Sequence, residues 1–237
     1  MMEPIQLKIN GQACEAQSGD TVLKVARAYD IFIPTLCFLE GLSKQGACRL
    51  CLIEVKGIPR LLAACTTRVT EGMEVTTDTP KLKAYRQMIL ELLFAERNHI
   101  CAFCVASGNC ELQYLAQELG VTHVRYPYRF PRYSVDATHD RFLYDPNRCI
   151  LCTRCARACG EVEGAHTWAV KGRGIHSMMM TDLNTPWGDS GTCTSCSKCV
   201  QACPTGALAE KGRATGESTR CPDILPRLSH SRRNNRA

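Results

Sequence analysis

The chain has 237 residues, 17 of them cysteine, and a formal net charge of +6, a length that suits two or three small domains. The N-terminus, Met1-Met2-Glu3-Pro4-Ile5-Gln6-Leu7-Lys8, lacks a basic flank followed by a long apolar run, which argues against a secreted disulfide scaffold. No apolar stretch approaches the roughly 18 residues a membrane span needs, so the chain reads as soluble and cytoplasmic, with thiols reduced and available to metal.

Residues 3–80 read as β-rich with one helix. Ile5, Leu7 and Ile9 alternate and Asn10-Gly11 supplies a hairpin turn. Thr21 to Tyr29, preceded by Ser18-Gly19-Asp20, has the pattern of a short amphipathic helix. Cys51 to Val55 is a strand ending at Gly57, and Val69 to Val75 another, turned at Glu71-Gly72. This order suggests a β-grasp domain over residues 1–80. Residues 81–120 switch to a helical period, with Leu82, Tyr85, Met88, Ile89, Leu92 and Leu93 on one face. A second helix from Glu111 to Leu119 ends at Gly120. Residues 121–145, rich in aromatic and basic side chains, read as a linker packed on its neighbours, and residues 146–210 as a cysteine-rich module. Met178-Met179-Met180 and Trp187, between its two cysteine runs, are assigned to packing. Residues 211–237 form a basic tail, with seven Lys/Arg (Lys211, Arg213, Arg220, Arg227, Arg232, Arg233, Arg236) against Glu217 and Asp223.

The cysteines fall into sets. Cys149-x2-Cys152-x2-Cys155-x3-Cys159 and Cys193-x2-Cys196-x2-Cys199-x3-Cys203-Pro204 have the spacing of a bacterial two-cluster ferredoxin, in which the fourth cysteine of each run ligates the other cluster. Cys149, Cys152, Cys155 and Cys203 are therefore expected on one [4Fe–4S] cluster, and Cys193, Cys196, Cys199 and Cys159 on a second. Cys37, Cys48, Cys51 and Cys65 suit a [2Fe–2S] cluster. Their first gap is longer than the plant-type spacing, and a structural zinc site is the alternative. Cys101, Cys104 and Cys110 are one ligand short of a third [4Fe–4S] site; His99 is the nearest candidate for the fourth, with His123 as fallback. His139, His166, His176 and His230 have no such context. Cys14 and Cys221 are left over as free thiols. Loaded clusters contribute about −7, because bound clusters are often the largest local charges. The net charge then falls to about −1, which removes most of the case for nucleic acid. There is no G-x-G-x-x-G after a strand and no phosphate-binding G-x4-G-K. The glycines of Gly212–Thr219 are one residue too close, and Glu217 stands where lysine is needed. No catalytic centre is expected on this chain itself.

The order of these sets, across residues 1–210, resembles the N-terminal part of the large iron–sulfur subunit of respiratory complex I and the N-terminal region of [FeFe]-hydrogenases. Thr192-Cys193-Thr194-Ser195-Cys196-Ser197-Lys198-Cys199-Val200-Gln201-Ala202-Cys203-Pro204-Thr205-Gly206-Ala207 is most similar to the diaphorase gamma subunits of soluble NAD-reducing [NiFe]-hydrogenases. His99-Ile100-Cys101 gives H-x-C where complex I and [FeFe]-hydrogenases have H-x3-C, and the chain stops soon after Cys203, leaving no room for a hydrogen-cluster domain. The resemblance implies an α+β fold: a β-grasp [2Fe–2S] domain, a helical [4Fe–4S] segment held by one His and three Cys, and a two-cluster ferredoxin-like domain. It also implies an electron-relay role beside a diaphorase subunit that carries FMN and handles NAD, and beside the small and large [NiFe] hydrogenase subunits. The corresponding subunit of an NAD-linked formate dehydrogenase, a free multi-cluster ferredoxin, and a zinc-dependent nucleic-acid-binding protein are the other readings.

Overall fold

The structure is a computed structural model that describes residues 4–223 and Leu225. The expectations on Met1, Met2 and Glu3, and on Arg227, His230, Arg232, Arg233 and Arg236 of the basic tail, lie outside those residues. The chain divides into two compact units. One takes in residues up to Phe38 together with Lys44–Ile89; the other takes in Leu39–Ser43 and the chain from Leu90 on.

The first unit is built on a five-stranded sheet. Strands β1 (Ile5–Ile9) and β2 (Gln12–Ala16) form a hairpin in which Ile9 faces Gln12. Asn10 and Gly11 both have positive φ, 51° and 83°, the pair of left-handed residues a two-residue turn of this hand requires. Helix α1 (Val22–Ala28) starts at Thr21, whose Oγ1 accepts from the Lys24 N–H at 3.4 Å. Strand β3 (Leu52–Val55) pairs antiparallel with β4 (Ile58–Ala63), and β5 (Glu74–Thr76) completes the order β2-β1-β5-β3-β4, with β1 and β5 parallel. Two expectations change here. β4 was not foreseen, because Pro59 and Arg60 hide a strand whose first half is exposed. The stretch from Val69 to Val75 is a strand only from Glu74, because Thr70–Gly72 turn so that Gly72 N–H can reach the Gln6 carbonyl. Leu7, Ile9, Val22, Leu23, Val25, Ile53 and Val75 close the core under the sheet, each such side chain contributing about 1.5–3 kcal/mol. Cys14 lies in this core, its thiol bonded to the Gln12 carbonyl at 3.5 Å.

Helix α2 (Pro80–Glu96) buries a stripe different from the expected one: Leu82, Arg86, Leu90 and Ala95 are buried, while Tyr85 and Leu92 are exposed. The reason is Arg86. Its guanidinium enters the interior and donates to the carbonyls of Leu50 (3.1 Å), Leu52 (2.9 Å) and Thr77 (2.8 Å). A period count over apolar residues cannot register an arginine used in this way.

In the second unit, α3 (Glu111–Glu118) is followed by Gly120 at φ 68°. Strand β6 (Phe142–Tyr144) pairs with β9 (Leu208–Glu210), so the last residues of the 121–145 stretch close a sheet with the end of the cysteine-rich module. Between them lie α4 (Arg154–Arg157), which widens into a π-helical segment at Ala158–Glu163, the hairpin of β7 (Trp168–Lys171) and β8 (Met178–Thr181), and α5 (Lys198–Ala202). That hairpin occupies the long connection between the two cysteine runs. The core of this region is itself largely cysteine and aromatic: Phe142, Tyr144, Trp168 and Trp187 pack with Cys155, Cys159, Cys199 and Cys203. No helix among the described residues is long and apolar enough to cross a membrane.

Replacing Arg86 by Met keeps the side-chain stem and removes the donors. The carbonyls left without partners are expected to cost the first unit about 2–3 kcal/mol, read as a lowered thermal unfolding midpoint. An unchanged midpoint would show that water takes over the guanidinium's bonds.

Candidate metal centres

Cys37, Cys51 and Cys65 are buried and Cys48 is partly buried in the first unit. Cys51 Sγ lies 3.4 Å from Cys65 Sγ, and the Cys48 N–H donates to Cys37 Sγ at 3.5 Å. The four sulfurs feel one another. The Cys37 thiol, then burial, drives Cys48 far above the usual thiol range; the Cys65 thiol, then burial, does the same to Cys51; and Cys65 is lowered, chiefly by the Cys51 thiol. The loop that gathers them bends at Gly46 (φ 63°) and at Arg49 (φ 57°). A Cβ at Gly46 would meet the Thr66 side chain at 3.2 Å.

Three small cavities of the second unit are lined by cysteines. The first is lined by His99, Cys101, Cys104 and Cys110, with Phe94, Arg148 and Gly206 among their neighbours. His99 Nε2 is buried and has no hydrogen-bond partner, while the ring bonds the Leu93 backbone through its other nitrogen. Burial first, then the nearby charges of Arg148 and Arg97, hold this imidazole down to about 4. It is therefore neutral at pH 7 and keeps a free lone pair, the form in which histidine binds a metal. Burial raises Cys101 and pushes Cys110 up to about 11. Cys110 caps α3, and the Glu111 N–H donates to the Pro204 carbonyl at 2.9 Å. Gly206 abuts the same cavity so closely that a Cβ there would lie 2.5 Å from Cys104 Sγ. His123 is exposed and bonded to Thr122; His166 and His176 are exposed, and His139 is bonded to Ser195 at 3.1 Å. None of these four lines the cavity.

The second cavity is lined by Cys149, Cys152, Cys155 and Cys203, and the third by Cys193, Cys196, Cys199 and Cys159. The fourth cysteine of each run thus borders the other run's cavity. Burial is the main force raising the thiols: Cys149 to about 11, Cys152 to about 12, and Cys155 and Cys199 further still, with neighbouring thiols adding to it. Donors already point at several sulfurs: Leu151 N–H at Cys149 (3.4 Å), Thr167 N–H at Cys159 (3.3 Å) and the Trp187 indole N–H at Cys193 (3.3 Å). The backbone repeats between the runs. Leu151 and Thr153 in the first have φ of 53° and 58°, and Ser195 and Ser197 at the matching places in the second have 53° and 63°. These are left-handed, costly conformations for residues with a side chain, and they turn the chain so that successive cysteines face one centre.

These residues suit iron–sulfur clusters. A buried lone-pair nitrogen without a partner, thiols pushed up by one another, and backbone and indole N–H groups aimed at sulfur all call for a shared cation. Among the described residues no group of three or more His, Cys, Asp or Glu side chains is gathered tightly enough for a single metal ion; the cysteines of the second unit border cavities instead. Cys14 and Cys221, the first buried and the second exposed, line none of them. Sequence reading missed Gly206, Arg148 and the indole of Trp187; only the glycine, two residues beyond Pro204, carried any local signal.

Comparison with known proteins agrees with this division. Residues 2–80 match a 2Fe-2S iron-sulfur cluster binding domain, residues 86–125 the NADH-ubiquinone oxidoreductase-G iron-sulfur binding region, and residues 148–208 a 4Fe-4S dicluster domain. The chain is therefore an iron–sulfur protein with an N-terminal 2Fe–2S domain and a C-terminal 4Fe–4S dicluster domain. It is 34% identical to the NAD-reducing hydrogenase HoxS subunit gamma of Cupriavidus necator, over 87% of each chain. It also superimposes on a chain in the crystal structure of an NAD+-reducing [NiFe]-hydrogenase in the H2-reduced state with a TM-score of 0.85, at 33% identity, covering 95% of this chain and 96% of that one. It belongs to the family of these hydrogenase gamma subunits. A further relative, the NADPH-Fe(3+) oxidoreductase subunit alpha of Geobacter sulfurreducens, is 37% identical over 87% of this chain, which spans only 24% of that protein.

Replacing Gly206 by Ala would drive a methyl into Cys104 Sγ. The purified variant is expected to lose about 4 iron atoms per chain, those of a single [4Fe–4S] site, while the remaining iron stays. Native iron content in the variant would show that the wall yields.

Proposed function

We propose that this chain is the iron–sulfur relay subunit of a soluble, cytoplasmic NAD-reducing hydrogenase, placed between a [NiFe] hydrogenase module of small and large subunits and a diaphorase subunit that carries FMN and binds NAD. The observation that supports this best is the set of three cavities, each lined by four candidate ligands, within a chain whose relatives bear the names of NAD-reducing hydrogenases. In this reading residues 1–80 hold a [2Fe–2S] cluster on Cys37, Cys48, Cys51 and Cys65. Residues 81–120 hold a [4Fe–4S] cluster on His99, Cys101, Cys104 and Cys110. After a linker over 121–145, residues 146–210 hold two more, on Cys149, Cys152, Cys155 and Cys203 and on Cys193, Cys196, Cys199 and Cys159, ahead of the tail at 211–237.

When bound, such clusters accept and pass single electrons; the protein supplies thiolates, hydrogen bonds and a dry surround. The chain's residues fit that division of labour. His99 brings one neutral ligand where the other sites bring thiolates, so its site carries one negative charge fewer and is biased toward reduction. Arg148 lines the His99 cavity and hydrogen-bonds Cys104, adding positive charge at the same place. Phe94 meets the His99 ring edge-on at 5.4 Å and fixes its orientation. In the third cavity the phenyl and indole rings of Phe142, Trp168 and Trp187 exclude water.

Purified anaerobically from its native source, the chain is expected to come with flavin, nickel and hydrogenase subunits, and to carry about 14 iron atoms. A complex with formate dehydrogenase subunits, or none, would overturn the hydrogenase assignment, and stoichiometric zinc with little iron would overturn the cluster assignment. His99→Ala is expected to lose about 4 iron atoms, and His99→Cys to keep them while the potential of that one site falls, as a thiolate replaces a neutral ligand; full iron in the alanine variant would exclude His99. Cys48→Ser tests whether the first site lies on the route: reduced hydrogen-dependent NAD+ reduction places it there, and unchanged activity places it off the route.

A further inference from the structure

The notable feature outside the ligand sets is how Trp187 is held. Only 1% of it is exposed, and its ring stacks on Phe142 (5.6 Å between centroids, 20° between planes) and meets Trp168 edge-on (4.9 Å, 72°). Hydrophobic packing alone would leave the ring free to slide, but here the backbone is clamped. The Trp187 N–H donates to Asp136 Oδ2 at 2.8 Å, and Asp136 Oδ1 is held by the N–H and hydroxyl of Thr138. The next residue, Gly188, donates to Thr138 Oγ1 at 2.8 Å and lies so near the Thr138 carbonyl that a Cβ would approach it to 2.4 Å. The sulfur side is fixed too. Thr192, one residue before Cys193, donates its N–H and hydroxyl to the Asp182 carboxylate at 3.2 and 2.7 Å. Two independently anchored segments thus meet at one contact, the Trp187 indole N–H on Cys193 Sγ at 3.3 Å.

We propose that Trp187 sets the reduction potential of the site formed by Cys159, Cys193, Cys196 and Cys199, by donating its indole N–H to the Cys193 thiolate. This rests on the ligand assignment given above. A hydrogen bond to a cluster thiolate stabilises the more negative, one-electron-reduced form more than the oxidised form, and so raises the potential; in a dry site the effect is not screened. The chain's other tryptophan, Trp168, hydrogen-bonds Cys199 of the same set. The clamp at Asp136, Thr138 and Gly188 makes Trp187 a positioned donor, and an aromatic ring lacking the N–H would fill the same space without the bond.

The test is a potentiometric titration of the iron-loaded chain followed by electron paramagnetic resonance. Trp187→Phe is expected to retain about 14 iron atoms and to lower one [4Fe–4S] couple, leaving the others in place. At the poise where the native site is half reduced, its reduced-to-oxidised ratio is expected to fall about tenfold, 59 mV for a one-electron couple. Native potentials throughout, with iron retained, would overturn the proposal. So would an equal shift of the same couple in Phe142→Leu, which disturbs the ring stack and removes no donor. Where Trp187→Phe loses iron, the Trp168→Phe chain labelled with 15N-indole tryptophan, in which Trp187 alone carries the label, answers instead: a 15N coupling to a reduced cluster supports the donor role, and none refutes it. A native chain that lacks iron and the couples altogether overturns the ligand assignment itself, and so is distinguishable from failure of the tuning role.

Discussion

Four cysteines cannot be buried together as thiolates without a cation among them, and most of this molecule follows from that constraint. Two unit charges about 4 Å apart repel by about 4 kcal/mol even at an effective dielectric of 20. A few such pairs would cancel the 5–15 kcal/mol by which a domain is stable. The raised thiols of Cys48, Cys51, Cys149, Cys152, Cys155 and Cys199 record this pressure toward the neutral form. A shared metal core reverses it, because it binds the deprotonated sulfur and makes metal binding part of folding. The second unit depends on this heavily, since its cysteines stand where another small domain would place leucine and valine.

The same constraint explains the buried arginines. Arg154 is 1% exposed and makes two bonds to the Glu111 carboxylate, at 2.6 and 2.8 Å. It lies between Thr153 and Cys155, and Glu111 follows Cys110, so the pair ties the loops of two candidate centres together. Arg157 donates to the carbonyls of Ser43 and Cys152. Buried guanidinium groups are costly when unpaired; beside anionic centres they are compensated, and they hold ligand loops at the same time.

The cysteine spacing made it legible which cysteines of the second unit border a common cavity, because a C-x2-C step allows few ways for successive sulfurs to face one centre. The β1–β2 hairpin and α1 were legible for a similar reason: their turn and cap depend on neighbours in sequence. What escaped was long-range. The stripe of α2 was misplaced because Arg86 serves carbonyls 34 and 36 residues away. Strand β4 was hidden because half of it is exposed and carries a proline. Trp187 was assigned to packing, correctly so far as its ring goes, but its N–H gains meaning only once Asp136, 51 residues earlier, has fixed where it points. Left-handed φ at Thr153 and Ser197 is invisible too, since neither residue type announces it.

Gly206 gives the molecule a direction in time. A ribosome delivers the chain from its N-terminus, and domains tend to fold as they emerge. Cys37 through Cys65 and the whole sheet of the first unit are complete within the first 80 or so residues. His99, Cys101, Cys104 and Cys110 emerge soon after, yet the wall behind Cys104 is Gly206, and the partner for the Glu111 N–H is Pro204. The cavity beside His99 therefore stays open on one side until nearly a hundred further residues have been made, and closes only with Pro204–Gly206, the residues that directly follow Cys203, the cysteine that completes the second cavity. Synthesis order and closure of the cavities are thus out of step: the four candidate ligands that come second in the chain are enclosed together with those that come last.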